Sequence, residues 1–151
     1  MTTGVWVLLG ALVLATSLAL TKRWYDGRFR AVPAGRRSAD DVAHDTSAEP
    51  AVLLSAQELG ATDLGERATL VQFSSAFCQP CRATRRVLAE ISAAVPGVNH
   101  VEIDAESHLE LVRRLGVMRT PTTLVLDAAG RVTTRASGQP RKEQVIAALP
   151  L

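Results

Sequence analysis

Leu70-Val71-Gln72-Phe73-Ser74-Ser75-Ala76-Phe77-Cys78-Gln79-Pro80-Cys81 is the stretch that decides the fold. Leu70 to Phe73 is an apolar run that reads as a buried strand. A short polar turn follows, and Cys78 and Cys81 then open a helix. They are the only two cysteines among 151 residues. Their spacing sets two thiols one helical turn apart, close enough for a small disulfide ring. A helix N-terminus beside the first sulfur favours thiolate over thiol. The thiolate is the attacking species in disulfide exchange. Cysteines confined to one Cys-x-x-Cys do not form a structural framework, which spreads its cysteines along the chain.

Toward the N-terminus, Gly4 to Thr21 carries no charge. Eighteen residues of helix span about 27 Å, close to a bilayer core. Trp6 near one end and Trp24 and Tyr25 past the other suit interfacial belts. Residues 4–21 are therefore expected to be a transmembrane helix. Lys22, Arg23, Arg28, Arg30, Arg36 and Arg37 follow, against Asp26 alone among them. The positive-inside rule then puts the rest of the chain in the cytoplasm; an extracytoplasmic domain is the alternative. Residues 22–50 read as a basic flank and flexible linker, with Pro33, Gly35, Pro50 and a polar run between Ser38 and Glu49.

From residue 51 to 151 the pattern is that of one compact domain. Val52 to Leu54 reads as a short edge strand. Ser55-Ala56-Gln57-Glu58 has the form of a capping box and predicts a short helix. Thr69 to Ser74 is the central strand and Arg82 to Val95 a helix, with Val87, Leu88, Ile91 and Val95 on one face. Val98 to Ile103 is a strand, Ser107 to Leu115 a helix, Thr122 to Leu126 a strand and Arg131 to Arg135 its hairpin partner. A last helix starts at Pro140. This order predicts an α/β domain with a mixed central sheet and helices on both faces.

Three markers, in this order, resemble the thioredoxin family over 51–151. Phe77-Cys78-Gln79-Pro80-Cys81-Arg82 is similar to the family's Trp-Cys-Gly-Pro-Cys-Lys. Val117 to Thr122, with Thr120-Pro121, resembles its cis-proline loop. Gly130 and Gly138 match its late glycines. The resemblance implies a thioredoxin-like fold, Cys78 as nucleophile and Cys81 as resolving thiol. It also implies a cis Pro121, and Phe77, Pro80, Thr120 and Pro121 lining the substrate groove. Partners would be protein disulfides and an electron donor, with no cofactor beyond the Cys78–Cys81 disulfide, no metal, and a monomeric state.

The chain also departs from that pattern. Gln72 stands where the family carries a buried aspartate, and glutamine cannot take a proton from Cys81. His100 is read as replacing the lysine that accompanies that aspartate, and offers a titratable group. Ser74, Phe77, Gln79 and Arg86 replace tryptophan, tryptophan, glycine and proline. Arg82, with Arg85 and Arg86, forms a basic patch able to lower the Cys78 pKa or to attract acidic partners.

A membrane-tethered thiol–disulfide oxidoreductase follows, acting as a cytoplasm-facing reductant. The alternatives are an extracytoplasmic protein for cytochrome maturation or disulfide formation, and a redox-inert peptide-docking domain. A zinc module on Cys78, Cys81, His100 and His108 has irregular histidine spacing. A formal net charge of +2 gives no footprint for nucleic acid, and no Gly-rich phosphate loop is present.

Overall fold

A computed structural model describes residues 2–25, 28–31 and 52–150. The elements in order are α1 (Thr2–Tyr25), β1 (Phe29–Ala31), β2 (Ala68–Ser74), α2 (Gln79–Ala94), β3 (Val98–Asp104), α3 (Leu109–Arg114), β4 (Thr122–Asp127), β5 (Val132–Ser137) and α4 (Lys142–Ala148). One five-stranded sheet runs β1-β5-β4-β2-β3. β2 and β3 are parallel; β2–β4, β4–β5 and β1–β5 are antiparallel. The mixed sheet is as expected.

β2 is buried along its whole length, because helices cover both faces of the sheet. Side chains alternate across a strand. Leu70 therefore joins Leu88 and Ile91 of α2 and Val145 of α4 on one face. Val71 and Phe73 join Leu59, Leu115 and Val117 on the other. A strand buried on both sides reads as a continuous apolar run, which is why it stands out in the sequence.

Three expected elements differ. The stretch 22–50 contains β1, which pairs Phe29 with Ala136 and Arg30 with Arg135. It is thus partly helix and strand rather than all flank and linker; residues 26–27 and 32–50 of the expected linker lie outside the described residues. Ser55 and Glu58 do form reciprocal capping contacts, Ser55 N–H to Glu58 Oε2 at 2.9 Å and Glu58 N–H to Ser55 Oγ at 3.2 Å. They close only turns, ended by Gly60 at φ 65°. The Ser55 backbone N–H and the Arg114 guanidinium hold the Glu58 carboxyl down at about 2. Val52 to Leu54 makes one bridge, Leu53 to Arg131, instead of an edge strand.

α1 extends beyond the 4–21 read from the sequence. Its side chains from Trp6 to Thr21 are all exposed. Those sixteen residues make about 24 Å of helix against a core of about 30 Å. Among the described residues no helix is long and apolar enough to cross a membrane.

The loop that leads into β2 is tightly held. Gly65 N–H donates to Thr69 Oγ1 at 2.9 Å. A Cβ on Gly65 would collide with the carbonyls of Ala68 and Gly97 and the Asn99 nitrogen. Backbone atoms cannot yield as a flexible side chain does. Gly65→Ala is therefore expected to lower unfolding stability by about 1–3 kcal/mol, read from denaturant melts of the full chain in detergent. A loss below about 0.5 kcal/mol, the range of an ordinary surface change, would show that the loop relaxes freely.

Candidate active site

The site begins where β2 ends. Ser74 closes the strand, residues 75–77 turn, and Cys78 is the N-cap of α2 with extended backbone, φ −89° and ψ 97°. Pro80 falls in the first turn, where its missing N–H leaves no helical bond unmade. Cys78 and Cys81 form a disulfide, with Cα atoms 5.2 Å apart. The Cys81 N–H donates to Cys78 Sγ at 3.1 Å. Cys78 Sγ thus takes the place of the capping oxygen at a helix N-terminus. When the disulfide is reduced, that N–H and the helix dipole both favour a thiolate there.

The two sulfurs differ in access. Cys81 is 2% exposed, whereas Cys78 is half-buried and its neighbours Phe77, Gln79 and Pro80 are open. Phe77 is 95% exposed and Met118 92%. Met118 was not singled out from the sequence; an apolar residue in a loop carries no period that would flag it.

The Thr120–Pro121 bond is cis, as the resemblance implied. Pro121 is buried and Thr120 half-buried. Ser75 Oγ and Thr120 Oγ1 are 3.1 Å apart, joining this loop to the turn before Cys78. Thr122 Oγ1 donates to the Arg119 carbonyl at 2.8 Å, and Gly138 N–H to the Pro121 carbonyl at 2.7 Å. The loop is thereby joined to the turn before Cys78 on one side and to the residue after β5 on the other.

Beneath α2, Gln72 is fully buried, and its Nε2 donates to the Cys81 carbonyl at 2.9 Å. Gln72 Oε1 has no partner among the described residues. Glu102, not His100, stands across from Gln72, while His100 stands across from Leu70. Glu102 accepts from Ser74 Oγ at 2.8 Å and from Arg85 Nη1 at 3.2 Å. It ties β2, β3 and α2 together beside the site. The offset of two parallel strands joined through a helix leaves no trace in a single sequence, so this role was not legible.

Burial lowers the His100 pKa; the Glu102 charge raises it and Arg85 lowers it further. A histidine so shifted folds best neutral. Its contribution is complete above the ordinary value of 6.5 and falls away as pH drops below it, because the unfolded chain binds the proton more readily. His100→Gln is expected to flatten the decline in melting temperature between neutral and mildly acid pH. An unchanged slope would assign the decline elsewhere. Arg82 is exposed on α2, Arg85 is engaged with Glu102, and Arg86 is exposed. Among the described residues no group of three or more His, Cys, Asp or Glu side chains converges as a metal site.

A buried and an accessible sulfur joined at a helix N-terminus, facing a cis-proline loop on a mixed sheet, define a thiol–disulfide exchange protein. The thioredoxin family profile matches residues 57–150. The chain is 28% identical over 137 residues to thioredoxin-2 of Pyricularia oryzae, covering 88% of this chain and 80% of that one. It is 34% identical over 86 residues to thioredoxin of Alicyclobacillus acidocaldarius, covering 56% and 81%. The fold is also that of oxidized mitochondrial thioredoxin 3 from Saccharomyces cerevisiae, with TM-score 0.50 and 18% identity over 56% of this chain and 77% of that one. The chain belongs to the thioredoxin family and is a thiol–disulfide oxidoreductase.

Proposed function

We propose that this protein is a membrane-tethered reductant of protein disulfides whose domain faces the cytoplasm. The contact of Cys81 N–H with Cys78 Sγ, 3.1 Å at the start of α2, carries the chemical part of this reading. The Cys78 thiolate attacks one sulfur of a partner disulfide. The partner's other sulfur leaves as a thiolate and takes up a proton. Cys81 loses its proton and attacks Cys78 Sγ, forming the Cys78–Cys81 disulfide and releasing the partner's second thiol. Two electrons pass to the partner, and a dithiol donor returns them. No cofactor beyond the disulfide enters these steps. Phe77, Pro80 and the Thr120–Pro121 loop are the surfaces on which an extended partner segment would lie.

The tether rests on sequence and on the helical backbone of α1. That backbone is helical from Thr2 to Tyr25 and contains the uncharged stretch. Gly4 to Thr21 offers water no charged group. The basic excess after α1 supports the cytoplasmic orientation. The chemical part is tested by insulin reduction with the full chain in detergent and dithiothreitol as electron source. Catalysis lost in Cys78→Ser is expected; equal rates from wild type and variant would sink it. A reporter fused after Leu151 tests orientation, and activity only on export would favour the extracytoplasmic alternative.

A further inference from the structure

The tether carries a strand. α1 ends at Tyr25 and β1 starts at Phe29, so four Cα steps, about 14 Å at most, separate them. β1 belongs to the domain. It pairs with β5 through three residues, and Phe29 packs on the cluster that holds Val145 and Leu149. The chain therefore enters the domain at its β1–β5 edge immediately after α1.

The charge on this edge is also informative. Arg30 and Arg135 are directly opposed on neighbouring strands, where like charges repel. Arg30 is exposed. Arg135 spends two donors on the carbonyls of Leu115 and Gly116, leaving others of its five free for an anion. Among the described residues neither guanidinium has a carboxylate partner. Phosphate groups of lipid would relieve that repulsion.

Resting on the membrane reading of α1, we propose that β1 is a clamp. It holds the β1–β5 edge against the headgroups of an anionic bilayer, with Arg30 and Arg135 toward lipid phosphates. Cys78 then serves disulfides close to that surface. From β1 to β2 is three strand spacings, about 14 Å. Together with the link from α1, the redox site lies within roughly 30 Å of the membrane. A free linker over 22–50 would instead extend to about 100 Å. The partner class is therefore a membrane protein, or one bound at the membrane, with a disulfide near the surface.

The test uses the full chain in vesicles of phosphatidylcholine with a minority of phosphatidylglycerol. Insulin is linked to a lipid headgroup either directly or through a semi-rigid helical spacer of about 60 Å. The wild-type chain is expected to reduce the directly linked insulin at least about tenfold faster, as a site limited to 30 Å requires. Phe29→Asp, which unpacks β1, should bring the two rates within about threefold. Arg30→Glu, which leaves the core intact, should narrow the gap in anionic vesicles and not in pure phosphatidylcholine. Equal wild-type rates from a chain that survives an alkaline wash of the vesicles overturn the clamp and leave the tether standing. A chain lost in that wash overturns both.

Discussion

Cys78→Ser is expected to lower kcat/KM for insulin reduction at least about thousandfold, because a serine hydroxyl stays protonated where the thiol ionises. Cys81→Ser is expected to fail differently. Cys78 keeps its N-cap position at the start of α2, so the first attack proceeds. Nothing then attacks the mixed disulfide, and a covalent adduct accumulates at one partner per chain. The contrast follows from the difference in access, with Cys81 2% exposed and Cys78 half-buried. Intact-mass measurement after mixing each reduced variant with a disulfide peptide reads it directly. An adduct on Cys78→Ser, with none on Cys81→Ser, would reverse the assignment.

Gln72→Asp is expected to separate stability from rate. In the wild type the Gln72 amide is fully buried and donates to the Cys81 carbonyl at 2.9 Å. An aspartate there removes the donor and places a charge in the core, at about 3–5 kcal/mol at neutral pH. Burial raises the folded pKa of such a carboxyl above its unfolded value. The folded state then holds the proton more tightly. The loss therefore grows as pH rises through that interval and is recovered on acidification. The same carboxylate accepts the Cys81 proton, so release of the partner from the mixed disulfide should quicken once it is ionised. Melts at pH 5 and pH 8 with stopped-flow release kinetics measure both effects. A variant as stable as wild type at pH 8, or one with unchanged release, contradicts the respective half.

Much of the fold was legible because burial on two sides writes itself into composition. Leu70 to Phe73 and the Leu88, Ile91 stripe of α2 are uninterrupted or periodic, and each falls where it was read. The Cys-x-x-Cys marked its own helix start. β1 was hidden for a physical reason. Only three residues long, it pairs with residues about a hundred positions away, and Arg30 sits in its centre inside a basic block. The Ser55 capping box was real chemistry, but Gly60 at positive φ ends the turn before a helix can propagate. Residues of the site that act through register, Glu102 above all, required the strands to be placed first.

Selective alkylation of the reduced full chain tests the central claim most directly, that α2 activates Cys78 and shelters Cys81. Iodoacetamide labelling is followed against pH, with the modified residue located by mass spectrometry. The expected result is modification of Cys78 alone, with a midpoint below the ordinary thiol value of about 8.5. Cys81 should stay unmodified until the fold is opened. Labelling of Cys81 first, or a Cys78 midpoint at or above that ordinary value, would contradict it.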